Sequence, residues 1–171
     1  MAGQFSVSIK RFAEATQLKL DDVLLKVLFD ISTKVVEKSP VGNRELWAIN
    51  APEKRSWRVA HGRPDLKPEG YVGGRFRANW QFGETTAPSG ELHEKSPPAS
   101  GYPSQDAVIG ELHTQMLSAK FGKNYWIVNN LPYAYRLEVG WSTQAPTGMV
   151  ATTMANAQSI VSEAVDSVKA K

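Results

Sequence analysis

The sequence predicts an α+β domain: long N-terminal and C-terminal helices and a shorter third helix, packed on a small, mostly antiparallel β-sheet with long exposed loops. Three observations carry that prediction. Apolar residues recur at helical spacing near both ends of the chain. A period of two runs through residues 75–82. Glycines and prolines punctuate the stretches between. With 171 residues, 42% of them hydrophobic and 22% charged, the expectation is one domain over 1–171 with a real core.

The first helix is expected over Leu18–Lys38, where Leu20, Val23, Leu24, Val27, Leu28, Ile31 and Val35 follow the helical repeat. Asp21 and Asp22 read as its first turn and Lys34 and Lys38 as its end, each sign matching the helix dipole. Pro40 stops it, because a residue before proline is pushed out of the α region. Ahead of it, 1–8 reads as a flexible tail, and Ser8 caps a possible short helix.

Phe76, Ala78, Trp80 and Phe82 alternate with Arg75, Arg77, Asn79 and Gln81, as in a half-buried strand. A short helical turn after Gly73-Gly74 competes with that reading. Asp106–Phe121 reads as the shorter helix, with Val108, Ile109, Leu112, Met116 and Leu117 on one stripe and Gly122 at its end. Tyr125-Trp126-Ile127-Val128 reads as a strand. Pro132–Glu138 reads as one or two helical turns closed by Gly140. Pro146-Thr147-Gly148 is a turn into the last helix, Met149–Lys169.

Two stretches read as loops. Residues 83–104 are rich in proline and serine. Residues 43–72 hold Trp47 and Trp57 among charges, with a possible short strand at 56–60. So long a loop inside a compact domain implies a task. Arg44, Lys54, Arg55, Arg58, Arg63, Lys67, Arg75 and Arg77 crowd this half of the chain, although net charge is only +3 and the pI about 9.1. They read as a solvated basic loop or as a surface facing phosphates or an acidic partner.

The search for chemistry yields no catalytic, cofactor-binding or metal site. There is no cysteine, hence no disulfide framework, thiolate zinc site or thiol nucleophile. His61, His93 and His113 are isolated and read as ordinary surface histidines, His113 on the polar side of its helix. No Gly-x-Ser-x-Gly elbow occurs. Tyr71-Val-Gly-Gly-Arg lacks the lysine and spacing of a phosphate loop. No run approaches the roughly 20 apolar residues of a membrane span. The opening residues lack the layout of a signal peptide, so a soluble protein made in a cytosol is expected. On a strand, Arg75 and Arg77 would leave from one face and suit phosphates or carboxylates equally. Arg136 and Glu138 read as an ion pair or an inter-subunit contact.

Four elements occur in order: Ser39-Pro40-Val41-Gly42, then Gly74-Arg75-Phe76-Arg77-Ala78-Asn79-Trp80, then Asn129-Asn130-Leu131-Pro132-Tyr133-Ala134-Tyr135-Arg136-Leu137-Glu138-Val139-Gly140, then Gln144-Ala145-Pro146-Thr147-Gly148-Met149. This order resembles the small neck or tail-completion proteins of long-tailed bacteriophages, often described as minor tail components. In those proteins a first helix ends in Ser-Pro-Val-Asp-Thr-Gly and runs into Arg-[Leu/Phe]-Arg-x-[Ser/Asn]-Trp. A later Tyr-Ala-x-x-[Leu/Ile]-Glu-x-Gly leads to a proline turn and a C-terminal helix. The resemblance spans about 8 to 168. It breaks at Asn43–Val72, which looks inserted after Val41-Gly42.

The resemblance implies assembly rather than catalysis: a virion protein, assembled in the host cytoplasm, that completes or joins the tail. It implies a ring, with six copies the natural expectation, around genomic DNA held without sequence readout. Neighbours would be other neck, head-connector, tail-terminator or tail-tube proteins, with no membrane and no cofactor. Trp47, Trp57, Arg75, Arg77, Tyr133, Arg136, Glu138 and Trp141 are the expected contact residues, since aromatic and arginine anchors dominate interfaces. A tail terminator is the alternative of the same kind, and a non-specific nucleic-acid-binding module the alternative of another.

Overall fold

A computed structural model describes residues 2–43, 61, 72–94 and 97–170, with α1 side chains from Thr16 onward except Leu18. Trp47, Trp57, the strand expected at 56–60, and the basic residues Arg44, Lys54, Arg55, Arg58, Arg63 and Lys67 lie outside the described residues.

The chain is α+β. Helix α1 spans Ala2–Glu37, followed by a 3-10 turn at Arg77–Asn79 and strand β1 at Trp80–Glu84. Helix α2 is Gln105–Met116, β2 is Tyr125–Asn129, and α3 is Ala134–Glu138. Helices α4 (Val150–Met154) and α5 (Ala157–Lys169) complete the order. The two strands form one antiparallel sheet, with Trp80 opposite Asn129 and Glu84 opposite Tyr125.

Helix α1 begins earlier than its sequence pattern suggests. The expected tail at 1–8 is helical from Ala2, and the expected short helix merges with the main one. No glycine or proline stands between Gln4 and Glu37 to interrupt it. Asp21 is therefore not in a first turn. It lies mid-helix and nearly buried, and it accepts from the Phe121 N–H at 2.7 Å and from Lys120 Nζ at 3.2 Å. These bonds tie α1 to the chain leaving α2. The Phe121 backbone hydrogen bond leads the causes that hold the Asp21 carboxyl below its usual pKa.

The C-terminal segment is two helices rather than one. The Thr152 hydroxyl donates to Gly148 O at 2.8 Å, and Asn156 Nδ2 donates to Thr152 O at 2.8 Å. Such side-chain bonds compete with helical backbone bonding, and the chain breaks at Ala155-Asn156. Helix α5 then buries Ile160, Ala164 and Val168 as it packs along α1. Helix α2 starts at a serine cap, Ser104 Oγ accepting from the Ala107 N–H. It stops at Met116, short of Phe121, and leaves Leu117 64% exposed.

The main core joins Leu28, Val35 and Val36 of α1 to Val108, Leu112 and Met116 of α2. Phe76, Ala78, Trp80, Leu131, Ala145 and Met149 close it from the motif segments. His113 is not a surface residue. Its ring stacks on Phe29 at 4.0 Å, and Nε2 lies 3.1 Å from Thr33 Oγ1, between α1 and α2.

Candidate interaction surface

The motif segments bond to one another, mostly through side chains that reach main-chain groups. Trp80 Nε1 donates to Ser39 Oγ at 2.7 Å, and Ser39 Oγ donates to Val35 O. The Gln144 amide pairs with both polar groups of Val41, accepting from its N–H and donating to its carbonyl. Asn129 Nδ2 donates to Phe76 O. Asn79 is fully buried; its Oδ1 accepts from the Leu92 and His93 N–H groups and its Nδ2 donates to Arg75 O. Buried polar atoms need such partners, and here they fix distant segments against each other.

The segment after β2 is built the same way. Helix α3 ends with Gly140 at φ +85, the Trp141 N–H bonding to Arg136 O and the Gly140 N–H to Leu137 O. That is the Schellman pattern, which places glycine in the left-handed region. A side chain at Gly140 would also strike Pro146 O. Glu138, on the last turn of α3, faces the start of α4. Its Oε2 accepts from the Met149 and Val150 N–H groups at 3.0 Å each and its Oε1 from Ala151 N–H at 2.7 Å. One carboxylate thus satisfies three of the orphan donors of a helix start, where the dipole also favours negative charge. Any side chain at Gly148 would collide with Glu138.

The expected ion pair between Arg136 and Glu138 is therefore replaced by two separate arrangements. The Glu138 carboxylate is taken by α4. Arg136 lies over the Trp141 ring, its Cζ 5.2 Å from the ring centroid, a cation–π contact. Trp141 is 74% exposed, Tyr135 77% and Val139 61%, so four apolar or aromatic-bound groups crowd the outer side of this braced turn. Tyr135 and Val139 were not among the residues singled out from sequence. Their i, i+4 spacing on the α3 turn is the signal that places them together.

Arg75 and Arg77 do not share a strand face. Arg75 lies in the turn ahead of the 3-10 helix and Arg77 opens it, where the alternation suggested β-structure. The Arg75 side chain is buried to 11% exposure, pairs with Glu91 and donates from Nε to His93 O at 3.0 Å. Burial raises the Tyr133 pKa, and the Arg75 charge opposes that rise. Tyr133, half-buried against Phe76, is thus part of the bracing rather than the surface. Arg77 Nε is buried without a hydrogen-bond partner among the described residues.

Of the expected contact residues, Arg136 and Trp141 come together on the outside, while Arg75, Tyr133 and Glu138 serve the fold. Among the described residues no three His, Cys, Asp or Glu side chains group as metal ligands, and no helix is long and apolar enough to cross a membrane. A cavity of about 120 Å³ between β1 and α2, lined by Gln81, His93 and Glu111 among others, is smaller than the roughly 300–1,000 Å³ of ligand pockets. Comparison with models of protein families, with curated proteins and with solved structures gives no match.

Proposed function

We propose that the chain is a structural protein of the neck of a long-tailed bacteriophage, completing or joining the tail as a ring around the DNA channel. The observation that carries this reading is the outer side of the α3 turn. Tyr135, Arg136, Val139 and Trp141 are exposed there on a backbone held rigid by Glu138 and Gly140. Aromatic and arginine side chains on a preorganised support are what a docking surface needs, because little ordering entropy is lost on contact. The ordered motifs support the reading too, since their polar residues hold one another in place.

In this reading the protein acts by binding neighbours, not by catalysis, and it sits in the virion after assembly in the host cytoplasm. The two termini and the basic 43–72 segment, with Trp47 and Trp57, make contacts between subunits of a ring, six-fold by expectation. DNA passes through without base readout. Deleting the gene tests it. Heads and tails should accumulate separately. Joined, infectious particles at normal yield would contradict the reading. Tails of uncontrolled length would instead mark a terminator.

A further inference from the structure

The two-stranded sheet has one covered strand and one open one. The Thr85 N–H bonds to Asn124 O at 2.9 Å, and these two residues continue the register that sets Trp80 opposite Asn129. In an antiparallel ladder, bonded and unbonded pairs alternate. Gln81 with Val128 and Gly83 with Trp126 are therefore the bonded pairs between the strands. The main-chain groups of Tyr125, Ile127 and Asn129 point the other way, off the outer edge of β2. Among the described residues none of these groups has a hydrogen-bond partner, and β1 is the only element that lies along β2. Strand β1 differs, since α2 packs on it and Glu84 O accepts from the Thr86 N–H at 2.7 Å.

An open edge is a template for a strand of another chain, and proteins guard such edges with charge, proline or a bulge. Strand β2, Tyr125-Trp126-Ile127-Val128-Asn129, carries none of these guards. Its aromatic and β-branched residues favour extended backbone, it pairs with β1 at five successive positions, and Trp126 is 43% exposed. We propose that the outer edge of β2 receives an extended segment from a second copy of this chain, which continues the sheet across the subunit boundary. An extended main chain is the partner that matches N–H and C=O groups repeating along a line. A ring of identical subunits supplies one such segment for every edge. Closing a ring takes a head-to-tail contact, so the segment is not the neighbour's own β2, because antiparallel pairing of β2 with β2 joins only two copies about a two-fold axis. The inference rests on the neck reading for the ring.

The test is amide hydrogen exchange of the full-length protein, read on peptides that span 125–129. In dilute, monomeric protein the amides of Trp126 and Val128 should be protected, while those of Tyr125, Ile127 and Asn129 exchange freely. Protection of all five in the monomer would mean that the chain covers its own edge, and the proposal would fall. In joined particles the three outward amides should exchange at least about tenfold more slowly than in the monomer. Unchanged exchange in particles that contain the protein would overturn the proposal. A photocrosslinking residue in place of Trp126 identifies the source in the same particles. A covalent dimer of the chain is expected, and an adduct with a different virion protein would contradict the second copy. A crosslink from one position 126 to another would contradict the head-to-tail arrangement. Absence of the protein from particles, or normal joining without its gene, sinks the neck reading itself, and exchange in the monomer still decides whether the edge is open.

Discussion

Arg136 and Glu138 stand two residues apart on one helical turn and end in opposite environments. Glu138 turns inward and holds the start of α4 by three hydrogen bonds. Arg136 turns outward and lies on an exposed tryptophan. Arg75, ahead of the 3-10 turn, is enclosed by bonding partners, while Arg77 Nε, at its start, is buried with no partner among the described residues. At about 100° per residue, positions i and i+2 on a helix point some 200° apart, so neighbours in sequence serve different sides. The lesson is that a motif is not a site. Glu138 and Arg75 build the fold, while Arg136 lies outside it over Trp141.

The sharpest way to break this comparison is to attack the inner side at its most buried member. Asn79→Ala leaves the Leu92 and His93 N–H groups without their acceptor, which should cost about 2–4 kcal/mol. For a chain of this length the Tm should fall by roughly 5–15 °C in a thermal melt. A loss under a degree would show that Asn79 does not hold the 90–93 loop.

Glu138→Gln comes next. The amide keeps one acceptor oxygen and loses the charge facing the α4 dipole, so a loss of about 1–2 kcal/mol is expected. Denaturant unfolding with an unchanged m-value would measure it. The charge-preserving alternative, an exposed role for Glu138, requires no loss at all.

A smaller effect carries a pH signature. The Asp21 carboxyl has its pKa lowered in the fold, first by the Phe121 N–H. A depressed carboxylate pKa stabilises the folded chain at pH values above the unfolded pKa, and that contribution is lost as pH falls through the folded pKa. Asp21→Asn should therefore lower Tm at neutral pH, and its gap to the wild type should close below about pH 4, the region of the ordinary carboxyl pKa. A gap that stays constant down to pH 2 would mean that the charge is irrelevant.

Much of this was legible in the sequence. The helical repeat of Leu28 and Val35, the stripe of Val108, Leu112 and Met116, and the strand at Tyr125 all depend on periodicity, which burial imposes directly. Gly140 was legible as a helix end for the same local reason. What escaped depends on partners far along the chain. The alternation at 75–82 imitates a strand, yet its first half is a turn, where Asn79 accepts from the Leu92 and His93 N–H groups. Asp21 imitates a helix start, although two of its partners lie 99 and 100 residues away. His113 carries no local sign that Phe29 lies beside it. The roles of Arg136 and Glu138 could be separated only when Trp141 and Met149 were in place around them.

The outer side should yield the smallest change in stability and the largest in assembly. Trp141→Ala removes an exposed ring and one cation–π contact, so Tm should shift by no more than about 2 °C. The most direct measurement is then the yield of joined heads and tails when a gene-deleted phage is complemented with this folded variant. A fall of tenfold or more at wild-type Tm is the expected result. Joined particles at wild-type yield would contradict the claim that the exposed half of this turn is the surface through which the protein acts.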